Sequence, residues 1–289
     1  MTRSRILTVL IAALVAASLV AAGCGGDDDD SGDSTEVADL ADCTPDQLET
    51  LKDGKLTIAT DEPAFPPYFE DDDPTNGRGF ESAVAYATAD KLGFSEADVE
   101  WVVEPFNSSY APGPKDFDFD VNQISITPKR AQQVDFSAPY YTANQALVAA
   151  KGSEASKATS LEEIKDDEIG VQIGTTSLDA VEAEIAPDTE PQVYNDSNDV
   201  VTALKQGQVD AVVVDLPTAL FLTAVQVPEG KIVGQFEAPG GDEWGALLEQ
   251  DSPLTPCVSA AIEDMRDSGE LAEIEQQWMS EAAGAPKLD

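Results

Sequence analysis

Apolar residues are distributed along this chain in three regimes. Residues 6–22 are apolar apart from Thr8 and Ser18, and Arg3 and Arg5 precede them. Residues 25–46 carry Gly, Ser and Asp with few large apolar side chains. From Leu56 onward, short apolar runs alternate with stretches spaced for helices. Residues 56–60 predict a strand that ends at Asp61. Phe80, Ala83, Val84, Ala87 and Leu92 share one face of a helix over 80–92, which Gly93 terminates. Strands follow at 99–103, 121–125, 145–150 and 169–173. A helix over 177–185, a strand at 192–194 and a helix over 199–206 come next, the last with Ser197 or Asn198 as its cap and Gly207 as its stop. Ala211 to Val214 are four consecutive apolar residues, the pattern of a strand buried on both faces. Near the C-terminus Val258, Ile262 and Met265 line one helical face. Asp267-Ser268-Gly269 interrupts it, and Leu271, Ile274 and Trp278 resume it.

Repeated strand–helix units specify α/β layers with mainly parallel sheets. No internal repeat recurs at a fixed period. The 289 residues suffice for about two domains. Charge and composition then remove whole classes of function. With 56 Asp plus Glu against 16 Lys plus Arg, the formal charge is -40, which repels nucleic acid. The absence of histidine excludes a Ser-His-Asp triad, a Cys-His dyad and any His-ligated metal. Three cysteines do not make a four-Cys zinc site, and no cofactor or metal is expected.

The basic residues and apolar run at the start read as a targeting segment. It ends in Val20-Ala21-Ala22-Gly23-Cys24, which resembles a bacterial lipobox. On that reading residues 1–23 are removed and Cys24 carries lipid, although Ala21 stands where such boxes usually have Leu. The alternative is an uncleaved membrane anchor. Either places the remainder outside the cytoplasmic membrane. Residues 24–46 are expected to form a flexible acidic tether, since they bury too little to offset their ordering entropy. The run Asp27 to Asp30 lacks the spaced ligands of a calcium loop and reads as solvated charge. With Cys24 lipidated, Cys43 and Cys257 remain, and in an oxidising compartment they are expected to pair, two separate buried thiols being the alternative.

Five short stretches, in order, carry a family resemblance. Leu56-Thr57-Ile58-Ala59-Thr60-Asp61 is followed by Phe65-Pro66-Pro67-Tyr68. Ser125-Ile126-Thr127-Pro128-Lys129-Arg130 precedes Val134-Asp135-Phe136-Ser137-Ala138-Pro139-Tyr140-Tyr141. Gly170 to Thr176, Gly207 to Asp215 and the paired C-terminal helices complete the set. Together they resemble the amino-acid-type (family 3) solute-binding proteins of bacterial ABC importers, which have the type II periplasmic-binding fold. The resemblance implies two α/β lobes joined by two crossover strands, with ligand in the cleft between them. Mapped here, lobe 1 is 47–143 plus 237–280 and lobe 2 is 147–233. Hinges are expected near 142–146 and 234–238, with a tail at 281–289. A Cys43–Cys257 bridge then lies wholly within lobe 1.

The resemblance also assigns the cleft. Arg130, with its planar fork of donors, matches the arginine that binds the ligand's α-carboxylate, assisted by Ser125. Thr176, at the start of a predicted helix, adds donors from lobe 2. Asp215, at the end of an apolar strand, matches the acceptor of the α-ammonium; a cap on the helix beginning near Leu216 is its other reading. Asp61 sits at the C-terminal end of the first strand, where open α/β sheets bind ligands. Phe65 and Phe106 match positions that sandwich the ligand, and plain core packing is their alternative. Gln172 matches a position that varies with ligand. Three departures stand out. Asn122-Gln123 replaces the usual Ala-Gly, so Gln123 alters one wall. Two prolines and a glycine make the family's helix improbable over 107–120. One residue is inserted between Asp61 and Phe65. Asp61 and Glu62 favour a polar or cationic amino acid. Expected partners are that ligand, an ABC permease and the membrane through a lipid anchor, with the protein a monomer. The rival reading is a cleft lyase for a prephenate- or arogenate-like acid, with Asp61, Glu104 or Glu243 as candidate acids. Residues 281–289 leave no room for an appended transglycosylase, and a sensor role would require recruiting a separate membrane protein.

Overall fold

In the computed structural model of the protein, residues 38–279 and 285–288 are described. The targeting segment, Cys24 and the tether up to residue 37 lie outside them. Two five-stranded sheets organise the chain. The first contains β1 (Leu56–Thr60), β2 (Val99–Val103), β3 (Phe119–Asp120), β4 (Asp135–Thr142) and β10 (Glu243–Leu248) in the order β2-β1-β3-β10-β4. The second contains β5 (Gln145–Ala150), β6 (Ile169–Gln172), β7 (Gln192–Tyr194), β8 (Ala211–Asp215) and β9 (Gly230–Phe236) in the order β7-β6-β8-β5-β9. Both sheets are mixed rather than mainly parallel. β1 runs parallel to β2 and β3, but β10 is antiparallel to β3 and β4. Likewise β6 is parallel to β7 and β8, whereas β5 is antiparallel to β8 and β9. The antiparallel strands are those beside the lobe crossings.

Those crossings are short. The chain leaves the first sheet at Thr142 and enters the second at Gln145; it leaves again after Phe236 and re-enters at Glu243. Gln145 pairs with Phe236, so the strands extend into both expected hinge windows. The segments outside strands are residues 143–144 and 237–242.

Three helices pack on the first sheet: α1 (Phe80–Lys91), α6 (Thr255–Ser268) and α7 (Glu270–Met279). Gly269 ends α6 in the left-handed region at φ 86°, where a β-carbon is disfavoured, which explains the interruption. α2 (Phe106–Ser109) is only four residues, as the Pro-Gly-rich sequence after it requires. In lobe 2, α3 (Thr176–Ala180) continues as a π-type turn to Ile185. α4 (Ser197–Lys205) is capped by Asp196 rather than by Ser197 or Asn198, its carboxylate accepting from Asp199 N. α5 (Leu216–Phe221) follows β8 directly.

Several expectations need correction. The strand expected at 121–125 is β3, two residues earlier. Gln123 has φ 49°, which breaks extension, and Ser125 keeps a single bridge to Trp244. Residues 38–46 belong to the fold, not to the tether. Ala38, Leu40 and Leu48 pack on the lobe 1 core, and buried Cys43 is disulfide-bonded to Cys257 of α6, S–S 2.01 Å. The C-terminal tail is also engaged. Pro286 O accepts from Gln235 N at 2.7 Å, Leu288 N donates to Gln235 O at 2.8 Å, and Leu288 is buried in the lobe 2 core. Strands β4, β9 and β10 escaped the periodicity reading; in β4, burial follows no alternation and Pro139 interrupts the run.

Candidate functional site

A cavity of about 410 Å³ lies between the lobes. Asp61, Phe65, Phe106, Gln123 and Ser125 line it from lobe 1, and Gln172, Thr176 and Asp215 from lobe 2. Of the residues selected from sequence, Arg130 alone is not on the wall. The wall carries the acidic side chains Asp61, Glu62, Asp196 and Asp215, and neither Lys nor Arg. Glu104 and Glu243, the other acids weighed for a lyase, do not line it.

β1 delivers Asp61 to the cleft, and the carboxylate is then fixed by two backbone donors, Glu62 N at 2.7 Å and Phe106 N at 3.2 Å. Phe65 reaches the other lobe, its ring 6.4 Å from that of Phe221. Phe106 packs edge-on against Tyr110, and both rings face Arg130, whose Cζ is 5.4 and 4.8 Å from their centroids. Arg130 is only 7 % exposed. Nη1 donates to Ser125 O at 2.7 Å and Nη2 to Gly174 O at 3.0 Å, so the guanidinium clasps the two lobes from behind the wall. Ser125 and Thr176 meet hydroxyl to hydroxyl at 3.2 Å across the cleft. Gln172 accepts from Ser197 Oγ at 2.6 Å.

Gln123 retains the left-handed backbone that a glycine would take there, and its amide does not point freely into the cavity. Its N donates to Glu81 Oε1 at 2.6 Å, and its Nε2 donates to Glu81 Oε2. Glu81 also accepts from Tyr140 Oη at 2.5 Å. Fully buried on α1, it was not selected from sequence, since one acid on an apolar helix face reads as solvated. Burial pushes its carboxyl up to about 7, against the pull of its donors.

Asp215 stands at the N-cap position of α5, but its side chain makes no capping hydrogen bond there. Its Oδ1 accepts from Gln145 Nε2 at 2.7 Å. The same nitrogen donates to Asp242 Oδ2 at 2.6 Å, and Asp242 Oδ2 also accepts from Thr176 Oγ1 at 3.1 Å. Ser177 Oγ donates to Gln145 Oε1 at 2.6 Å. Burial, and next the neighbouring Asp242, push the Asp215 carboxyl well up; burial also raises Asp242. Gln145 and Asp242 are fully buried and were missed, because a glycine-flanked loop acid and a strand-end glutamine carry no periodic signal.

Residues 56–281 match the family model of the bacterial extracellular solute-binding proteins, family 3. The chain belongs to this family. The chain is similar to the arginine-binding extracellular protein ArtP of Bacillus subtilis, 29% identical over 218 residues, covering 73% of this chain and 82% of that one. The L-cystine-binding protein TcyJ of Escherichia coli is 27% identical over 235 residues, covering 80% and 85%. Among solved structures, an ancestral arginine-binding protein bound to arginine superimposes with a TM-score of 0.66 at 34% identity, covering 78% of this chain and 98% of that chain. A family 3 solute-binding protein with two α/β lobes around a cavity is a receptor and not an enzyme.

Proposed function

We propose that this receptor captures an amino acid with a cationic side chain and delivers it to an ABC importer. The observation that carries the reading is the charge of the wall: among the described residues its charged side chains, Asp61, Glu62, Asp196 and Asp215, are all acidic. A cation desolvated into a cavity needs opposite charge beside it, and a side-chain carboxylate on the ligand would meet repulsion from Asp61 and Glu62. Asp215 takes the α-ammonium. The Ser125 hydroxyl and the Thr176 backbone N–H take the α-carboxylate, with the Arg130 guanidinium supplying positive charge behind Ser125. Asp61 and Glu62 face the ligand's side chain, and Phe65, Phe106, Gln123 and Gln172 shape its channel. The volume suits a single amino acid. Residues 143–144 and 237–242 act as the hinges between lobe 1 and lobe 2. Lipid on Cys24 holds the monomer to the outer face of the membrane.

A thermal-shift and calorimetric screen of the protein lacking residues 1–24 tests this. Arginine, lysine or ornithine at 100 times Kd raises stability by about 2.7 kcal/mol. Preference for glutamate, or no response to any amino acid, would overturn the reading.

A further inference from the structure

The site has a feature that ligand contact alone does not explain. A single amide nitrogen, Gln145 Nε2, donates to two carboxylates, Asp215 Oδ1 at 2.7 Å and Asp242 Oδ2 at 2.6 Å. The Ser177 hydroxyl occupies the amide oxygen at 2.6 Å, so the amide is held with its nitrogen toward the acids. Gln145 opens β5 immediately after the first crossing, and Asp242 ends the second. Asp242 also accepts from Thr176, which lines the cavity and touches Ser125 of the opposite lobe. Yet Asp242 itself is not on the wall, and its Oδ1 is buried without a partner.

We propose that Asp242 is a positioning residue for the ligand's ammonium: through Gln145 it sets the orientation and charge of Asp215, and it does so from the second crossing, so that one hydrogen-bond network reads both the ligand and the hinge. This rests on Asp215 being the ammonium acceptor. Two carboxylates within one nitrogen's reach, Asp242 fully buried and Asp215 on the cavity wall, do not both ionise readily. Hydrogen bonds from Gln145 and Thr176 and the charge of Arg130 relieve them only in part. Arg130, the cation that acts on both, donates to the Ser125 and Gly174 carbonyls. Glu81 of α1 adds negative charge, and the Tyr68 and Tyr141 hydroxyls that also face Asp215 are neutral. Asp179 also acts on Arg130 through its charge. The pair therefore favours keeping a proton in the empty site. When the ammonium reaches Asp215 it supplies the missing positive charge, and the proton leaves to solvent.

Calorimetric titration with arginine, across pH 5 to 8 and in buffers of differing ionisation enthalpy, reads the proton count directly. The unaltered protein releases a proton on binding, and its affinity falls about tenfold per pH unit as the pair protonates. The arginine analogue lacking the α-amino group releases none, a comparison that needs no variant. Asp242→Asn keeps an acceptor oxygen for Gln145 and Thr176 but removes the charge; it binds arginine with less proton release and a flatter pH profile. Asp242→Ala also removes the acceptor, and it binds about tenfold more weakly than Asp242→Asn at every pH, with the same flattened profile. Equal proton counts and pH profiles in the unaltered protein and Asp242→Asn, or equal release by arginine and its analogue, would overturn the proposal while leaving the receptor reading intact. Failure of the unaltered protein to bind any amino acid would overturn both.

Discussion

Replacing both bridged cysteines, Cys43→Ala with Cys257→Ala, isolates what the disulfide contributes. The bridge joins residues 214 apart. Closing so long a loop removes chain entropy from the unfolded state worth about 5 kcal/mol, and measured losses on removing native bridges run about 2–5 kcal/mol. Both cysteines belong to the lobe 1 core, Cys43 on the N-terminal segment and Cys257 on α6. The loss should therefore fall on lobe 1. The fluorophores allow that to be seen, because Trp101 on β2, Trp244 on β10 and Trp278 on α7 are the only tryptophans and all sit in lobe 1. Denaturant titration followed by tryptophan fluorescence should show the double variant less stable by about 2–5 kcal/mol. Arginine affinity should stay within about threefold, since neither cysteine lines the cavity. An unmoved fluorescence transition, or a large loss of affinity with the fold intact, would refute the reasoning.

Three further outcomes are expected. Asp215→Asn should weaken arginine binding by about 1.5–3 kcal/mol but its des-amino analogue far less; equal losses by calorimetry would remove the ammonium role. Arg130→Ala should cost about 2–5 kcal/mol of binding, because it strips positive charge from the carboxylate end and unclasps Ser125 from Gly174; near-unaltered affinity would place the carboxylate elsewhere. Glu81, raised from 4.5 to about 7 in the folded protein, contributes stability that is fully present below about pH 4.5 and is lost as pH rises through 7, roughly 3 kcal/mol in all. Buried Asp120, also raised, acts in the same direction. Denaturation at pH 5 and pH 8 should show a smaller decline in Glu81→Gln than in the unaltered chain, and identical declines would count against the assignment.

How far the site could be read from sequence depended on where each residue sits in the chain's own punctuation. Asp61 and Asp215 end apolar strands, and a carboxylate at that place is visible as a break in hydropathy. Ser125 and Arg130 were identified by motif, yet the burial of Arg130 was not, because nothing in Thr127-Pro128-Lys129-Arg130 shows that Phe106 and Tyr110 will cover the guanidinium. Gln123 was noticed as a departure, but its tie to Glu81 joins residues 42 positions apart and leaves no local trace. Asp242 and Gln145 come together only because two crossings meet, which is a property of the topology and not of either segment. The same holds for β9 and β10, whose apolar residues alternate too irregularly to announce strands before their partners are known.

The last residues of the chain bear on how the protein is handled. β9 is the outermost strand of its sheet, and an outer strand offers unpaired backbone groups to any other extended chain. Residues 285–288 occupy that position at Gln235, and Leu288 fills the surface beside Gly234, where even a β-carbon would collide with it. The C-terminus thus serves as the sheet's own selvedge. A protein cut before residue 285 would present a bare strand and an empty leucine socket at the margin of lobe 2, an invitation to self-association. Labels and surface-attachment tags are best kept off residues 285–288, so that this seam stays closed.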